Sequence, residues 1–250
     1  MKWLSYANLS DHYERKARFL PAVLCVLPLL PASAAWGGPL LEWLKLLLGG
    51  VGIGAVLAVA LSHAASAMGN RTQKKLWPRW PHDSPTNRGL HPEEDQTSAQ
   101  QRALSYGAVQ RLVGIDIAAA IAAGEPVEPA IKDAVSQLRN LFWKRPEAER
   151  LNMHNVDYGF ARNFTGMRPI WISFLIASAV ACWVAFAKLG ADALLWAVIA
   201  TVLALVLVPV GILVLPGYVR EKATHYAESF FATLRAVDEA SAPAGPPDQP

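Results

Sequence analysis

The sequence predicts an all-α integral membrane protein, with two transmembrane helical hairpins and a helical cytoplasmic segment inserted between them. Three observations indicate this fold class. The 250 residues are 53% hydrophobic and only 17% charged, which is more apolar and less charged than is usual for a soluble domain. The apolar residues form stretches of membrane-spanning length, and the basic residues lie almost entirely on one side of them. The composition excludes a disordered chain, a collagen-like repeat and a disulfide scaffold.

Four apolar stretches are long enough to cross a bilayer, whose hydrocarbon core requires a helix of roughly 17–25 apolar residues. Only a few residues connect the first stretch to the second and the third to the fourth, so each pair forms a tight hairpin. The second stretch carries Glu42 and Lys45 near its start and His63 near its end. The four stretches are Phe19–Trp36, Leu40–Ala67, Pro169–Ala187 and Ala193–Leu215.

The distribution of positive charge predicts the orientation. Of the 23 Lys and Arg residues, all but Lys45 and Lys188 lie before residue 19, between residues 68 and 168, or after residue 216. Because basic flanks stay in the cytoplasm, we expect a bacterial inner-membrane protein with both termini and the middle segment cytoplasmic. A cleaved signal peptide is the alternative, disfavoured because the 18-residue polar leader contains Asp11 and Glu14.

The domain organisation follows from these stretches. Pro146 and the acidic residues after it indicate a helix start, and helical spacing of apolar residues marks a face in 129–144. The expected domains are a cytoplasmic amphipathic N-terminus (1–18), the first hairpin (19–67), the cytoplasmic helical segment (68–168), the second hairpin (169–216), an amphipathic helix (217–238) and a disordered tail (239–250). The helices expected in the middle segment are Thr97–Val113 with Thr97 as N-cap, Pro129–Lys144 and Pro146–Gly166, with Ile115–Ala123 a helix or a buried loop.

The helix predicted over Tyr218–Val237 places an apolar face on one side, so that it lies on the bilayer or docks on the cytoplasmic segment. That face consists of Ala223, Tyr226, Phe230 and Leu234. Three prolines in the first span predict a break near Pro28, as a hinge or as a tolerated kink. Gly50 and Gly54, four residues apart, indicate a close helix-packing or oligomerisation face, so we expect a homo-oligomer.

A membrane-interface anchor is predicted just after the second span, where Lys and Arg residues are interspersed with two tryptophans. Its residues are Lys74, Lys75, Trp77, Arg79 and Trp80. Nucleic-acid binding is the alternative, disfavoured because residues 68–168 hold 14 basic and 11 acidic residues, only a mild excess of positive charge. The following loop concentrates acidic residues and histidines, but without a recognised metal-ligand spacing. We therefore expect no metal and no cofactor.

Two motifs resemble signatures of a family of uncharacterised bacterial four-span membrane proteins. The first is the Trp80–Arg88 loop (WPHDSPTNR), and the second is Asn155–Pro169 (NVDYGFARNFTGMRP). The chain departs from the family pattern at His154, where the family has Glu, at Ala161, where it has Arg, and in lacking paired glycines after Trp80. The resemblance implies the four-span architecture and no defined activity; some similar four-span proteins are membrane effectors in bacterial immunity.

A candidate polar site follows from helical spacing in the second motif. Asn155, Tyr158 and Arg162 share one helix face and Asn163 lies beside it, while Arg88 can join them if the loop folds over that helix. Two hypotheses remain: a structural polar lock between loop and helix, which we favour, and a binding site for an anionic ligand or lipid headgroup.

The sequence contains no nucleophile, metal or phosphate-loop motif outside the spans, so we predict no catalytic residues and no enzyme. The favoured hypothesis is a non-catalytic membrane scaffold or sensor whose cytoplasmic helices bind a protein partner or an anionic signal. Alternatives are an oligomeric pore-forming effector and a lipid-modifying interfacial enzyme. Membrane lipids are expected partners and nucleic acid is not.

Overall fold

The computed structural model of this chain describes residues 12–37, 42, 53–95, 97–143 and 145–241. These residues are helical with connecting turns, and no strand occurs among them. Contacts divide the chain into two compact units. We call Met1–Leu76 with Val156–Arg220 the span unit, and Trp77–Asn155 with Glu221–Pro250 the polar unit.

Three apolar helices of the described residues are long enough to cross a membrane: Glu14–Ala35, Arg168–Leu189 and Ala191–Ser241. They correspond to the first, third and fourth predicted stretches. The chain is therefore a candidate membrane protein with at least these three spans. Most of the second stretch lies outside the described residues, as do the amphipathic N-terminus and most of the tail.

The first apolar helix, α1 (Glu14–Ala35), changes its winding along its length. A π-helical turn (Glu14–Phe19) precedes an α-helical piece (Leu20–Val26), a 3₁₀ turn (Leu27–Leu29) and a second α-helical piece (Leu30–Ala35). The 3₁₀ turn contains Pro28, so the helix changes its winding at the predicted position but continues through it, because a proline lacks the N–H of an α-helical ladder. The π turn was not predicted.

The remaining helices of the span unit surround small residues. Helix α2 (Ile53–Leu76) begins inside the second predicted stretch and runs nine residues past its predicted end at Ala67. A core of small residues lets α1 pack closely against the helices of the third and fourth predicted stretches. This core consists of Ala35, Cys182, Ala185, Ala193, Ala197 and Ala200. Large apolar side chains point outward, with Leu205 70% and Leu213 76% exposed, as expected for surfaces in contact with lipid.

The polar unit consists of shorter helices around its own apolar core. They are α3 (Pro85–Arg88), α4 (Ala99–Val113), α5 (Ile117–Ala122), α6 (Val127–Phe142) and the first part of α7 (Glu149–Gly166), which a 3₁₀ turn (Pro146–Ala148) precedes. The apolar face predicted on α6 is buried as expected, at Ile131, Val135, Leu138 and Phe142.

Helix boundaries differ from the predictions at capping residues. Ser98, not Thr97, caps α4, because its Oγ accepts a hydrogen bond from the Gln101 N–H at 3.1 Å. The Asp116 side chain caps α5 by accepting from the Ala119 N–H at 2.8 Å, which decides for a helix over a buried loop. Helix α6 starts at Val127 instead of Pro129 and ends at Phe142 instead of Lys144, since proline is tolerated in the first turn of a helix.

The last two predicted elements form one continuous helix. Helix α8 (Arg168–Leu189) ends at Gly190. After it, a 3₁₀ turn (Ala191–Ala193), α9 (Leu194–Pro209), a π turn (Val210–Val214) and α10 (Leu215–Ser241) follow one another without interruption. The predicted division at 216/217 thus falls inside a continuous helix, and the two compact units divide nearby, between Arg220 and Glu221. The predicted apolar face of α10 lies in the core of the polar unit, with Phe230 and Leu234 fully buried, so it docks on that unit and not on the bilayer.

Candidate functional site

The predicted polar residues of α7 join three helices of the span unit. Asn163 is fully buried, and its Nδ2 donates to the Ala17 carbonyl of α1 at 2.6 Å. The Arg162 guanidinium donates from Nη1 to Gln73 Oε1 of α2 at 2.9 Å and from Nε to Asn163 Oδ1 at 3.2 Å. We call Ala17, Gln73, Arg162 and Asn163 the polar junction.

The Ala17 carbonyl lies where the π turn of α1 gives way to an α-helix. The residue four positions later is Pro21, which has no N–H, and the residue that the π-helical ladder would use is Ala22. Asn163 supplies this carbonyl with a hydrogen bond from another helix, and its second polar atom accepts from Arg162. This buried bond ties α7 to the first span, because breaking it would leave a buried polar group without its partner.

Two glycines allow the helices of the junction to approach. A Cβ added to Gly166 of α7 would lie 2.5 Å from backbone atoms of Gly69 and Met68 in α2. A Cβ on Gly69 would in turn collide with the Asn163 side chain. The close crossing of α2 and α7 thus depends on the absence of side chains at both positions, as in small-residue contacts between membrane helices.

The partners of Arg162 among the described residues are neutral. Its guanidinium lies 5.8 Å from the ring centroid of Tyr158, which is buried, in addition to its bonds to the two side-chain amides. Within the described residues no carboxylate pairs with Arg162. Asn155 lies half-buried on the same helix, in the polar unit. The arrangement ties helices together and leaves the positive charge uncompensated by an acidic residue.

A second hydrogen bond between helices serves the π turn at Val210–Val214. The π turn directs the Leu215 N–H to the Val210 carbonyl, and the next residue, Pro216, has no N–H, so neither backbone donor reaches the Gly211 carbonyl. The Arg168 Nη1 of α8 donates to this carbonyl at 3.1 Å. The absence of a side chain at Gly211 also admits the Trp171 indole against the turn.

Arg88 belongs to the polar unit and is neutralised there. Its Nε lies 2.8 Å from Glu94 Oε2, and the Glu94 side chain is only 9% exposed. The loop that holds the pair is well ordered by hydrogen bonds: the Tyr106 hydroxyl donates to the Leu90 carbonyl at 2.7 Å, and Arg102 donates to the carbonyls of Glu94 and Thr97. The predicted union of Arg88 with Arg162 stays a prediction, since the two residues lie in different units.

The same loop lines a cavity of about 350 Å³. Asp83 pairs with the Arg79 guanidinium at 2.9 Å, and the Arg79 backbone N–H donates to Asp83 Oδ2 at 3.0 Å. These bonds, first of all the one from the backbone N–H, hold the pKa of Asp83 below its ordinary value. The cavity is lined by Arg79, His82, Asp83, Arg88, His91, Glu93, Glu94 and Glu128. Among the described residues, no group of three His, Cys, Asp or Glu side chains is arranged to hold a metal ion.

The predicted membrane anchor is only partly available to lipid. Lys74, Lys75 and Arg79 are exposed and Trp80 is half-buried, whereas Trp77 is buried, with 9% of its surface exposed. The anchor stays a prediction that now rests on the other four residues.

For the predicted packing face, Gly50 lies outside the described residues and Gly54 is described in its backbone alone.

Three residues at these sites were not predicted from the sequence. Gln73 lies at the polar junction, Arg168 at the second π turn and Glu128 at the cavity. The positions of Pro21 and Pro216 indicate which carbonyls lack an α-helical N–H partner, but they do not indicate which side chain donates to those carbonyls.

No protein-family model, no curated protein and no solved structure matches this chain.

Proposed function

We propose that the chain is a non-catalytic sensor or scaffold of the bacterial inner membrane, which crosses the bilayer four times and keeps both termini and the polar unit in the cytoplasm. The three apolar helices and the length of Leu40–Ala67 support the four spans. The concentration of Lys and Arg outside the hairpin tips supports the orientation.

Accessibility of single cysteines tests this orientation. The two native cysteines are buried, so they give little background labelling. In sealed spheroplasts, an impermeant maleimide should label Asp192→Cys, at the exposed tip between α8 and α9. It should label Leu104→Cys, in the polar unit and 62% exposed, only after permeabilisation. The reverse pattern, or labelling of both sites in sealed cells, would contradict the proposed topology.

The observation that carries the sensor proposal is the continuity of helix from Ala191 to Ser241. Its first part is an apolar span, and its last part supplies Phe230, Leu234 and Val237 to the core of the polar unit. A packed helix shared in this way can transmit a change in the core of the polar unit to the span, because close-packed interiors do not deform freely.

Hydrogen exchange tests this coupling. In the chain reconstituted in nanodiscs, Leu234→Ala should increase amide exchange in α9. The matched control is Leu138→Ala, which removes an equally buried leucine of the same core from a helix that does not enter the span unit. Val237→Ala is a milder variant if Leu234→Ala does not fold. Equal exchange in α9 for the α10 and α6 variants would contradict a role of the shared helix in coupling.

An anionic signal is no longer the favoured ligand of the polar unit. The buried partner of Arg88 is the Glu94 carboxylate, which an anion would have to displace. We therefore retain the binding of a partner or signal by the polar unit and drop Arg88 as an anion-binding residue.

The π turns of α1 and α9 favour a pore-forming effector as the second candidate function, because such turns weaken regular helix geometry inside a span. Overexpression in dye-loaded vesicles or cells distinguishes the two. Leakage that Gly50→Leu and Gly54→Leu abolish would support the effector, and intact membranes support the sensor or scaffold.

A further inference from the structure

The cavity of the polar unit differs from the rest of the surface in that eight ionisable side chains surround it. Its volume of about 350 Å³ is close to the lower limit of about 300 Å³ for small-molecule pockets. Seven of the lining residues come from the loop that follows Trp77, and Glu128 comes from the first turn of α6. The site is therefore assembled from two separate parts of the chain.

The charges of the cavity are arranged with the carboxylates inside and the guanidiniums outside. In the first ion pair the side chain of Arg79 is 77% exposed and that of Asp83 is 20% exposed. In the second, the values are 60% for Arg88 and 9% for Glu94. The arginines thus form the rim, while the deeper surface presents acceptor oxygens.

Two further carboxylates make the cavity net negative. The two arginines are neutralised by Asp83 and Glu94, and within the described part of the chain neither Glu93 nor Glu128 forms an ion pair. Glu128 is half-buried and lies in the first turn of α6. A cation bound in the cavity would neutralise the excess negative charge.

The histidines add hydrogen-bonding groups to the wall. The His91 Nδ1 accepts from the Glu93 backbone N–H at 3.3 Å, which leaves Nε2 as the protonated nitrogen of the neutral ring. The His82 Nδ1 is shielded from solvent and has no hydrogen-bond partner within the described residues.

The frame of the cavity is fixed before any ligand binds. The Ser84 side chain caps the short α3 by accepting from the Asn87 N–H, and both residues are buried. A loop of more than about 12–15 residues is usually functional or disordered, and this one is held by buried side chains. Such preorganisation lowers the entropic cost of binding.

We infer that this cavity binds a small organic cation that carries primary ammonium or guanidinium groups. Such groups offer several N–H donors to Glu128, Glu93 and the inner oxygens of the two ion pairs. The inference deepens the proposed sensor function, on which it rests, by naming the class of signal. Binding can nevertheless be measured without any coupling to α9.

Isothermal titration of the full chain in detergent tests the inference with four probes: 1,4-diaminobutane, methylguanidine, succinate as the anionic control and Mg²⁺ as the inorganic cation. We expect saturable binding of at least one of the two organic cations and none of succinate. Glu128→Gln should weaken cation binding about tenfold or more, since it removes one charge-assisted contact worth about 1.5–3 kcal/mol. Glu125→Gln is the matched control, because Glu125 is exposed, close in sequence and outside the cavity.

Several outcomes would overturn the inference. These are the absence of cation binding, equal affinities for the Glu128→Gln and Glu125→Gln variants, and preferential binding of Mg²⁺ that Glu128→Gln abolishes. If Glu128→Gln does not fold, Glu93→Gln, at an exposed position on the cavity wall, serves as the second variant. Cation binding without any change of exchange in α9 would support the site while contradicting the sensor, so the two failures are distinguishable.

Discussion

Helix α1 and the continuous helix Ala191–Ser241 share one structural feature and differ in the side chain that hydrogen-bonds to it. Each contains a π turn followed by a proline, and a side chain from a neighbouring helix donates to a carbonyl of the turn, Ala17 in the first and Gly211 in the second. A neutral, fully buried amide serves the first carbonyl, and a half-buried guanidinium serves the second. Both donors lie within six residues of each other, at the end of α7 and the start of α8.

The difference follows from the surroundings of each carbonyl. At Ala17 the crossing of α2 and α7 encloses the donor completely, so that a charge would be expensive and an amide is suitable. At Gly211 the donor keeps contact with solvent or headgroups, so that a long cationic side chain can extend there. We therefore expect the first bond to contribute more to stability than the second.

Substituting the glycines should have the largest effect on the free energy of unfolding and should separate the two sites most clearly. Gly166→Ala places a Cβ against the backbone of α2, which cannot move aside, and should lower the free energy of unfolding by about 3 kcal/mol or more. Gly211→Ala meets side chains and not backbone, the Trp171 indole and, at 3.4 Å, Ile172, and should cost less, about 1–2 kcal/mol. Gly217→Ala, with open space around it, is the control and should be neutral or stabilising. Thermal unfolding in detergent measures all three, and equal losses at 166 and 211 would contradict the proposed crossing.

Removing the amide should have the next largest effect. Asn163→Ala leaves the Ala17 carbonyl unsatisfied and removes the acceptor of Arg162, so we expect a loss of about 2–3 kcal/mol. Pro21→Ala restores a backbone N–H and should reduce the cost of Asn163→Ala by about 1 kcal/mol in a double-mutant cycle. Pro31→Ala, at an equally buried proline of the same helix, should leave that cost unchanged. A coupling energy near zero with Pro21→Ala would show that the proline does not create the need for Asn163.

The guanidinium should contribute less. Arg168→Met keeps the length of the side chain and removes its donors, and we expect a loss of about 1–1.5 kcal/mol. Pro216→Ala adds the N–H that the π turn requires for the Gly211 carbonyl and should recover part of this loss, whereas Pro209→Ala should not. The measurement is the same unfolding transition. A loss larger than that of Asn163→Ala would reverse the expected order.

The sequence was sufficient for features that depend on local periodicity. The apolar faces of α6 and α10 follow from residues close together in the chain, and the structure contains both; at Pro28 the helix changes its winding where the sequence predicted an irregularity. The polar residues Arg162 and Asn163 were recognisable as a candidate site for the same reason, since they share one helix.

The partners of these residues could not be predicted, because they are distant in sequence. Asn163 bonds a backbone carbonyl 146 residues away, and Arg162 bonds Gln73, 89 residues away. Which helices meet is determined by glycine contacts such as Gly69 with Gly166, and single glycines are common in apolar sequences. Glu128 reaches the cavity only because α6 packs close to the loop, which no local pattern indicates.

A solvent-exposed ion pair should contribute less to the stability of the fold than the hydrogen bond of either Asn163 or Arg168. The Arg111 guanidinium binds the Asp238 carboxylate through two bonds of 2.8 and 2.5 Å, but the arginine side chain is 63% exposed. The side-chain hydrogen bond from Arg111 lowers the pKa of Asp238, so the folded state binds this proton less readily than the unfolded one. The stabilisation should be complete above the ordinary aspartate pKa of about 3.9 and disappear as the pH falls through the lower pKa of the folded state. Asp238→Asn should therefore cost less than about 1 kcal/mol at pH 7, and its difference from the wild type should vanish in acid. A larger or pH-independent loss would show that exposure to solvent does not determine the order of the three interactions.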